Sequence, residues 1–582
     1  MTFTVTVDVE VPTRDGTALA TNVWCPSGEG PFPALLLRTP YGKDDAGLFG
    51  NPKLPDVFAL VGAGYAIVVQ DVRGTSRSPG TFVPHLTDGD DGVDTIAWLR
   101  AQPWCDGNIG TWGGSYMGFV QWQTAVGGPA GLRAMAPVMT SADLYRAPWY
   151  SPGGALSLDA VLSWGALAAL GSLRGTPDAP EVALLREMLV RRRPLLDPLP
   201  VAERPVLRDA LPWVGDVLDH PSRDGYWRDL ASTERCAAIT VPALSIGGWY
   251  DVFIGETVRA YAEMRRHGGS VEAREGQRLV IGPWAHPDGA DLGRFPDRSF
   301  GPAGGIEAAG VTEAHLRFFD RWVRGRDDRP DDGKRVRLFV MGLDEWRDED
   351  DWPLPDTRYT DYHLSSRAGA NTAAGDGELG TAPPTADAHD TYLYDPRRPV
   401  PTLGGTVLAT GPGEFAGPAD QSPVEGRDDV LCFTTPVLRA AVEVTGHVRL
   451  VLHVSSSALD TDFTAKLVDV HPDGRAIILC EGVRRARYRD SPAEPTPLRA
   501  GEVTELVVDV GVTSNAFLPG HRIRLEVSSG NFPRYDRNTN TGGAVAHDGE
   551  ADLVVAVNRV FHGPAHPSRL VLPVIDRGDP RP

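Results

Sequence analysis

Apolar and polar residues alternate strictly over residues 2–11, putting Phe3, Val5, Val7, Val9 and Val11 on one face, the pattern of a half-buried strand. Ala34–Leu37 and Ala66–Gln70 are instead apolar on both faces, as short strands inside a parallel sheet are. From Asp88 to Ala101 acidic residues come first and apolar ones recur at helical spacing. That is an amphipathic helix whose carboxylates favour its N-terminal dipole. A strand over Asn108–Trp112 then leads through Gly113–Gly118 into a helical stretch, Phe119–Ala125. Strands alternating with helices predict an α/β layer built on a mostly parallel sheet.

The pattern changes near residue 144. Ser157–Leu173 and Pro180–Arg193 have helical period, with Pro180 opening the second stretch and Pro194 just past it, and no strand is expected before about 235. Alternation resumes with a strand over 241–248, a helix over Glu256–His267 and a strand over 278–284. After 345 the helical signal fades. Residues 365–390, small, polar and acidic, are expected to form a long surface loop. Strands follow over Val442–Ser455, Phe463–Val470, Ala476–Val483, Glu502–Val510, Arg522–Ser528 and Asp552–Val557, spaced by turn residues as in a β-sandwich. Three units are expected: an α/β unit over 1–143 and 236–345, a helical insertion over 144–235, and a β domain over 346–582.

The 582 residues are 41% hydrophobic and 23% charged, which excludes wholesale disorder. A net charge of −20 argues against a phosphate-neutralising nucleic-acid partner. The 65 glycines and 50 prolines suit a chain of many short strands and turns. No apolar run reaches the roughly 20 residues of a membrane span, and the N-terminus has neither basic nor continuous apolar regions, so a cytoplasmic protein without a membrane partner is expected. Five scattered cysteines with no C-x-x-C pair read as reduced core thiols. No strong metal spacing or cofactor motif is present, so neither a metal nor a cofactor is expected.

Candidate chemistry centres on Gly113-Gly114-Ser115-Tyr116-Met117-Gly118. A serine on a tight strand-to-helix turn flanked by glycine holds its hydroxyl clear of the sheet. The common G-x-S-x-G pattern is displaced: Met117 stands in the second glycine's place and Gly118 follows. Asp251 lies just past one strand and His286 just past the next, so the order Ser…Asp…His is that of an α/β-hydrolase. Strand carboxyl ends are where open parallel sheets place their ligand crevice. The expected chemistry is acyl transfer: Ser115 as nucleophile, His286 as general base and acid, Asp251 orienting the imidazole, and the Tyr116 backbone N–H as an oxyanion donor. Taken singly, His286 reads as a structural histidine and Asp251 as a helix N-cap before Glu256. The acidic run Asp88–Asp94 reads as a helix start rather than a metal site.

These residues, with the segments 71–82 (DVRGTSRSPGTF), 103–110 (PWCDGNIG), 247–251 (GGWYD) and 282–287 (GPWAHP), resemble the cocaine esterase and X-prolyl dipeptidyl peptidase family of serine hydrolases. Segments 141–150, 336–349, 460–477 and 531–543 are similar to its cocaine esterase branch, so the resemblance spans the chain. It implies an α/β-hydrolase domain with an inserted helical cap and a C-terminal jelly-roll domain, a homodimer, and Ser115, Asp251 and His286 as the triad. It also implies a second oxyanion donor in the Tyr41 hydroxyl, although Tyr41 by itself reads as a buried strand-end aromatic. Trp149, Trp164, Phe253 and Leu408 match the acyl pocket, and by themselves read as packing between cap and hydrolase. The implied activity is a serine carboxylesterase acting on bulky, aromatic-acyl small-molecule esters through an acyl-enzyme. The alternative within the family is an X-prolyl dipeptidyl aminopeptidase or α-amino acid ester hydrolase, which needs carboxylates to pair with a free α-ammonium. Two departures bear on substrate: Ala409 stands where the cocaine esterase branch has Phe, which predicts a roomier acyl pocket, and the segment after Tyr41 carries an insertion.

Overall fold

The apolar runs near residues 35 and 67 become central strands of a large sheet in the computed structural model, which describes residues 2–173, 180–204, 211–287, 289–326, 333–367 and 369–577. Among these residues the sheet comprises β1 (Phe3–Pro12), β2 (Ala18–Pro26), β3 (Phe32–Thr39), β4 (Ala66–Asp71), β5 (Cys105–Gly114), β6 (Leu132–Val138), β7 (Leu244–Tyr250), β8 (Arg278–Ala285), β9 (Val336–Val340) and β10 (Glu345–Glu349). Their spatial order is β1-β2-β4-β3-β5-β6-β7-β8-β9-β10. Strands β4 to β9 pair in parallel, with antiparallel strands at both edges. Successive side chains serve opposite cores, which is why β3 and β4 read as continuous apolar runs. Leu35, Leu37, Ile67 and Val69 meet the helices Val57–Gly62 and Val311–Trp322. Ala34, Leu36, Ala66 and Val68 meet the helices Asp88–Arg100, Tyr116–Val126 and Ile254–His267.

Strand β1 forms where alternation places it, and its apolar face is buried only toward its ends: Val11 is fully buried and Phe3 and Val9 partly, while Val5 is 46% and Val7 59% exposed. It is an edge strand, and a bulge between Thr6 and Val9 puts Asp8 at a φ of 56°. The bulge turns Asp8 toward Lys43, at 2.7 Å, and Val5 and Val7 stay off the core.

Between 144 and 235 the described residues carry helices Leu158–Ser172, Pro180–Val190, Arg193–Leu196, Pro212–Asp219 and Gly225–Leu230. Residues 174–179 and 205–210 of the expected helical insertion lie outside the described residues. This cap buries Trp149, Trp164, Trp213 and Trp227 in one cluster with Tyr116 and Phe119 of the hydrolase body.

From Thr357 to Ile575 the chain forms the jelly-roll domain, antiparallel in all but one strand pairing. Strands Val442–Ser456, Asp462–Val470, Ala476–Arg485, Thr504–Phe517 and Arg522–Ser528 follow the sequence pattern. Two segments differ from expectation. Residues 365–390 are not simply a surface loop: they contain the strand Glu378–Gly380 and the start of Ala388–Tyr394, and Ala370 and Leu379 are buried. Buried Asp390 holds this segment by accepting the Ala370 N–H at 2.9 Å, a contact invisible to composition. The strand expected over Asp552–Val557 begins only at Ala556 and runs to His562. The Val554 N–H turns instead to the carbonyl of Thr539 at 3.1 Å, leaving Val554 and Val555 exposed.

One core joins the jelly roll to the hydrolase, with Trp249, Tyr250, Leu338 and Phe339 packed among the sandwich residues. A second joint reaches the cap. The Asp536 N–H donates to the carbonyl of Leu156 at 2.9 Å, and the Leu156 N–H donates to the Asp536 carboxylate at 3.1 Å. Arg534 donates to Ser157 Oγ at 3.2 Å. Arg485, buried, forks between Asp536 at 2.7 Å and Asp462 at 2.9 Å. Among the described residues no helix is long and apolar enough to cross a membrane.

Removing Arg485 would leave two buried carboxylates without their cation, a loss of about 3–5 kcal/mol for a broken buried pair. Arg485→Met should therefore lower the thermal midpoint of the full chain well below wild type. An unchanged melting curve would show that the joint does not depend on this ion pair.

Candidate active site

The order of strands reverses between β3 and β5: the chain leaves β3 for β4 on one side, then returns to β5 on the other. Open α/β sheets bind ligands beyond the strand ends at such a switch. Tyr41 follows β3, Ser115 follows β5, Asp251 follows β7 and His286 follows β8. The topology thus delivers all four to one edge.

Ser115 has φ 56° and ψ −126°, a conformation rare for any residue but glycine. The strand enters it and the helix Tyr116–Val126 leaves it within one residue, so neighbouring backbone must pass very close. A Cβ on Gly113 would lie 2.7 Å from Met117 Cβ, and one on Gly118 2.5 Å from Thr140 Cγ2. That accounts for the displaced motif: here the crowding against Thr140 falls at 118, so Met is tolerated at 117. Thr140 Oγ1 also donates to the Ser115 carbonyl at 2.6 Å, fixing the turn from β6. Ser115 itself is only partly buried between buried neighbours.

His286 Nδ1–H donates to Asp251 Oδ2 at 2.7 Å, which leaves Nε2 as the bare nitrogen. Asp251 is wholly buried, and its Oδ1 accepts the Phe253 N–H at 2.8 Å. Asp251 thus holds both the imidazole and the turn before the helix Ile254–His267, but it is not the helix N-cap, which is Phe253. The Phe253 ring stands edge-on to His286, with centroids 5.2 Å apart. Lys53, in the segment that departs from the resembling branch, donates to the carbonyls of His286 at 2.7 Å and Pro287 at 2.9 Å. It pins the loop that carries the histidine.

Tyr41 is held by its own N–H, which donates to Thr39 Oγ1 at 3.0 Å. Its hydroxyl accepts the Trp164 indole N–H at 3.2 Å. Burial raises the phenol pKa, opposed by hydrogen bonds from Trp164 and Ser115, so the hydroxyl keeps its proton and sits beside the serine. The Tyr116 side chain lines the cleft beside Ser115. Its hydroxyl donates to buried Asp88 at 2.6 Å, and its ring lies nearly parallel to Trp164 at 5.8 Å. The acidic run that opens the helix Asp88–Arg100 thus does more than favour a dipole: Asp88 anchors the residue after Ser115, and Asp91 holds Arg73.

Ser115, Tyr116, Trp149, Trp164, Phe253 and Leu408 line one cleft. Trp149 and Trp164 meet at 5.3 Å and close its cap side. Leu408 lines this cleft and Ala409 does not; the Ala409 N–H donates to Asp159 Oδ2 at 3.5 Å. Sequence reasoning missed three contributors: Lys53, Thr140 and His85, which lines the cleft with its ring 4.9 Å from Tyr116. An isolated His in a loop gives no periodic signal, and a carbonyl contact such as that of Lys53 leaves no trace in spacing.

Residues 15–288 match the X-Pro dipeptidyl-peptidase (S15) family, and residues 329–571 match the X-Pro dipeptidyl-peptidase C-terminal non-catalytic domain. The cocaine esterase of Rhodococcus sp. (strain MB1 Bresler) is 49% identical over 581 residues, covering 99% of each chain. Among solved structures, an aminopeptidase from a marine-sediment archaeon of the Thaumarchaeota matches at a TM-score of 0.78 and 26% identity, covering 99% of this chain and 97% of that one. An α-amino acid ester hydrolase matches at 0.79 and 25% identity, covering 98% and 96%.

Tyr41→Phe keeps the ring and deletes only the hydroxyl beside Ser115. If that hydroxyl stabilises developing negative charge, kcat should fall by about 10²–10³ with KM little changed. A folded variant with wild-type kcat on its best ester would remove Tyr41 from the reaction.

Proposed function

The chain belongs to the X-Pro dipeptidyl-peptidase (S15) family and is a serine hydrolase of the esterase kind, and from that premise we propose that it hydrolyses bulky aromatic-acyl esters through an acyl-enzyme on Ser115. Ser115 Oγ attacks the ester carbonyl while His286 Nε2 takes its proton. The imidazolium is stabilised by Asp251 across the 2.7 Å bond to Nδ1. The carbonyl oxygen, now an oxyanion, receives hydrogen bonds from the Tyr116 N–H and the Tyr41 hydroxyl. As the ester C–O bond breaks, His286 returns the proton to the departing alcohol. Water then enters, loses a proton to the same nitrogen and attacks the acyl-serine. The carboxylic acid leaves and Ser115 regains its proton.

The observation that carries this reading is the wall of the cleft. Tyr116, Phe119, Trp149, Trp164 and Phe253 surround the serine, with Leu144, Pro148 and Leu408 filling between them. Aromatic walls suit a flat apolar acyl group. Among the described residues lining the cleft none is Asp or Glu. An aminopeptidase or α-amino ester hydrolase needs a carboxylate there to pair with a substrate ammonium, and an ammonium in this cleft would be desolvated without compensation. That weighs for the simple ester over its amino-substituted relatives.

Benzoyl esters should be hydrolysed far faster than Xaa-Pro anilides, and Ser115→Ala should lower the ester rate on the order of a million-fold, as triad knockouts do. An enzyme that preferred the anilide, or a Ser115→Ala protein within tenfold of wild type, would overturn the proposal.

A further inference from the structure

His85 lies in the loop before the helix Asp88–Arg100, with φ 76°. Its backbone N–H donates to Asp88 Oδ2 and to the Tyr116 hydroxyl, each at 3.2 Å. Those bonds fix the backbone so that the ring enters the acyl cleft, stacked on Tyr116 and standing edge-on to Phe119 at 4.7 Å. The rings of Trp149 and Trp164 lie at 5.7 and 6.1 Å. His85 is only 7% exposed, and neither Nδ1 nor Nε2 has a hydrogen-bond partner among the described residues. Desolvation pushes its pKa down to about 3, so the imidazole is neutral, with one N–H to donate and one bare nitrogen to accept.

A buried polar group without a partner is costly, and a phenylalanine or leucine could line the same wall without that cost. The hydroxyls around it are already engaged. Thr140 donates to the Ser115 carbonyl, Ser141 to the Asp143 carbonyl and Tyr116 to Asp88. The unpaired imidazole is therefore matched to something that enters the cleft. A charged substituent is unsuited, because the surrounding rings would strip it of water. A hydroxyl is suited, because it both donates and accepts and so pairs with either tautomer of the ring.

We propose that the acyl group this cleft selects is an aromatic acid bearing a ring hydroxyl, a hydroxybenzoyl-type group whose hydroxyl bonds to His85. The inference rests on the aromatic-acyl reading above and narrows its substrate class. His85 is then a specificity residue that takes no part in proton transfer to or from Ser115.

The test is a matched series with one alcohol, the benzoyl, methylbenzoyl and ortho-, meta- and para-hydroxybenzoyl esters, each rate divided by that of its hydroxide-catalysed hydrolysis. In wild type one hydroxybenzoyl isomer should exceed benzoyl in kcat/KM by about 5- to 10-fold, the usual size of one net hydrogen bond. The methylbenzoyl ester of the same position should not match it. His85→Phe should bring that ratio to about one whatever it does to absolute rates. The wild-type series stands without the variant if His85→Phe does not fold, and His85→Asn, smaller and still polar, serves as the second variant and should keep part of the preference. Absence of any hydroxybenzoyl preference in wild type, a gain equalled by the methyl control, or a ratio that survives in His85→Phe would overturn the inference while leaving benzoyl ester hydrolysis standing. If no aromatic-acyl ester at all is turned over, the reading beneath it falls as well.

Discussion

Everything at this site depends on one strained residue. Ser115 adopts a positive φ at the point where β5 must become a helix, a conformation that costs of order 1–3 kcal/mol and persists only where its surroundings over-determine it. They do so here. The Ser115 N–H donates to the Val138 carbonyl at 2.9 Å, its carbonyl accepts from Thr140 Oγ1 at 2.6 Å, and the N–H groups of Gly118 and Phe119 close on the same carbonyl. The consequence is geometric: the serine side chain projects while its neighbours are buried, and the first free N–H of the new helix belongs to Tyr116.

The sheet then determines what can stand around that serine. Because β3 is the neighbour of β5 at the reversal in strand order, the residue two places past β3 reaches the serine, and that residue is Tyr41. Strands β7 and β8 are neighbours too, which sets Asp251 beside His286. The cap adds Trp149 and Trp164 to the aromatic wall, and the jelly roll supports the cap through Asp536 and Arg534 while sharing a core with the hydrolase. Lys53 adds a further tie by holding the carbonyls of the histidine loop. The C-terminal domain thus takes part in building the cleft, to which Leu408 contributes directly.

Much of this was legible in the sequence because it rests on periodicity and on order along the chain. Continuous apolar runs marked β3 and β4, helical spacing marked the cap, and the glycines around Ser115 marked the turn. What failed was whatever depends on which element covers which. Val5 and Val7 alternate correctly, yet they sit in the middle of an edge strand that is covered only toward its ends. Asp390 buries a stretch whose composition reads as loop. Only resemblance singles out Tyr41, since a strand-end tyrosine has no pattern of its own. Nothing in the sequence singles out His85. Its importance lies in two nitrogens that find no partner, and a missing contact cannot be read from neighbours in sequence.

That Ser115 carries the acyl group between the two half-reactions is open to direct measurement. Rapid acid quench of the enzyme during turnover of a benzoyl ester, followed by peptide mass spectrometry, should find one benzoyl adduct, on the peptide containing Ser115, formed and lost at rates compatible with kcat. An adduct on another residue, or continued turnover with Ser115 never acylated under conditions where deacylation limits the rate, would contradict the account.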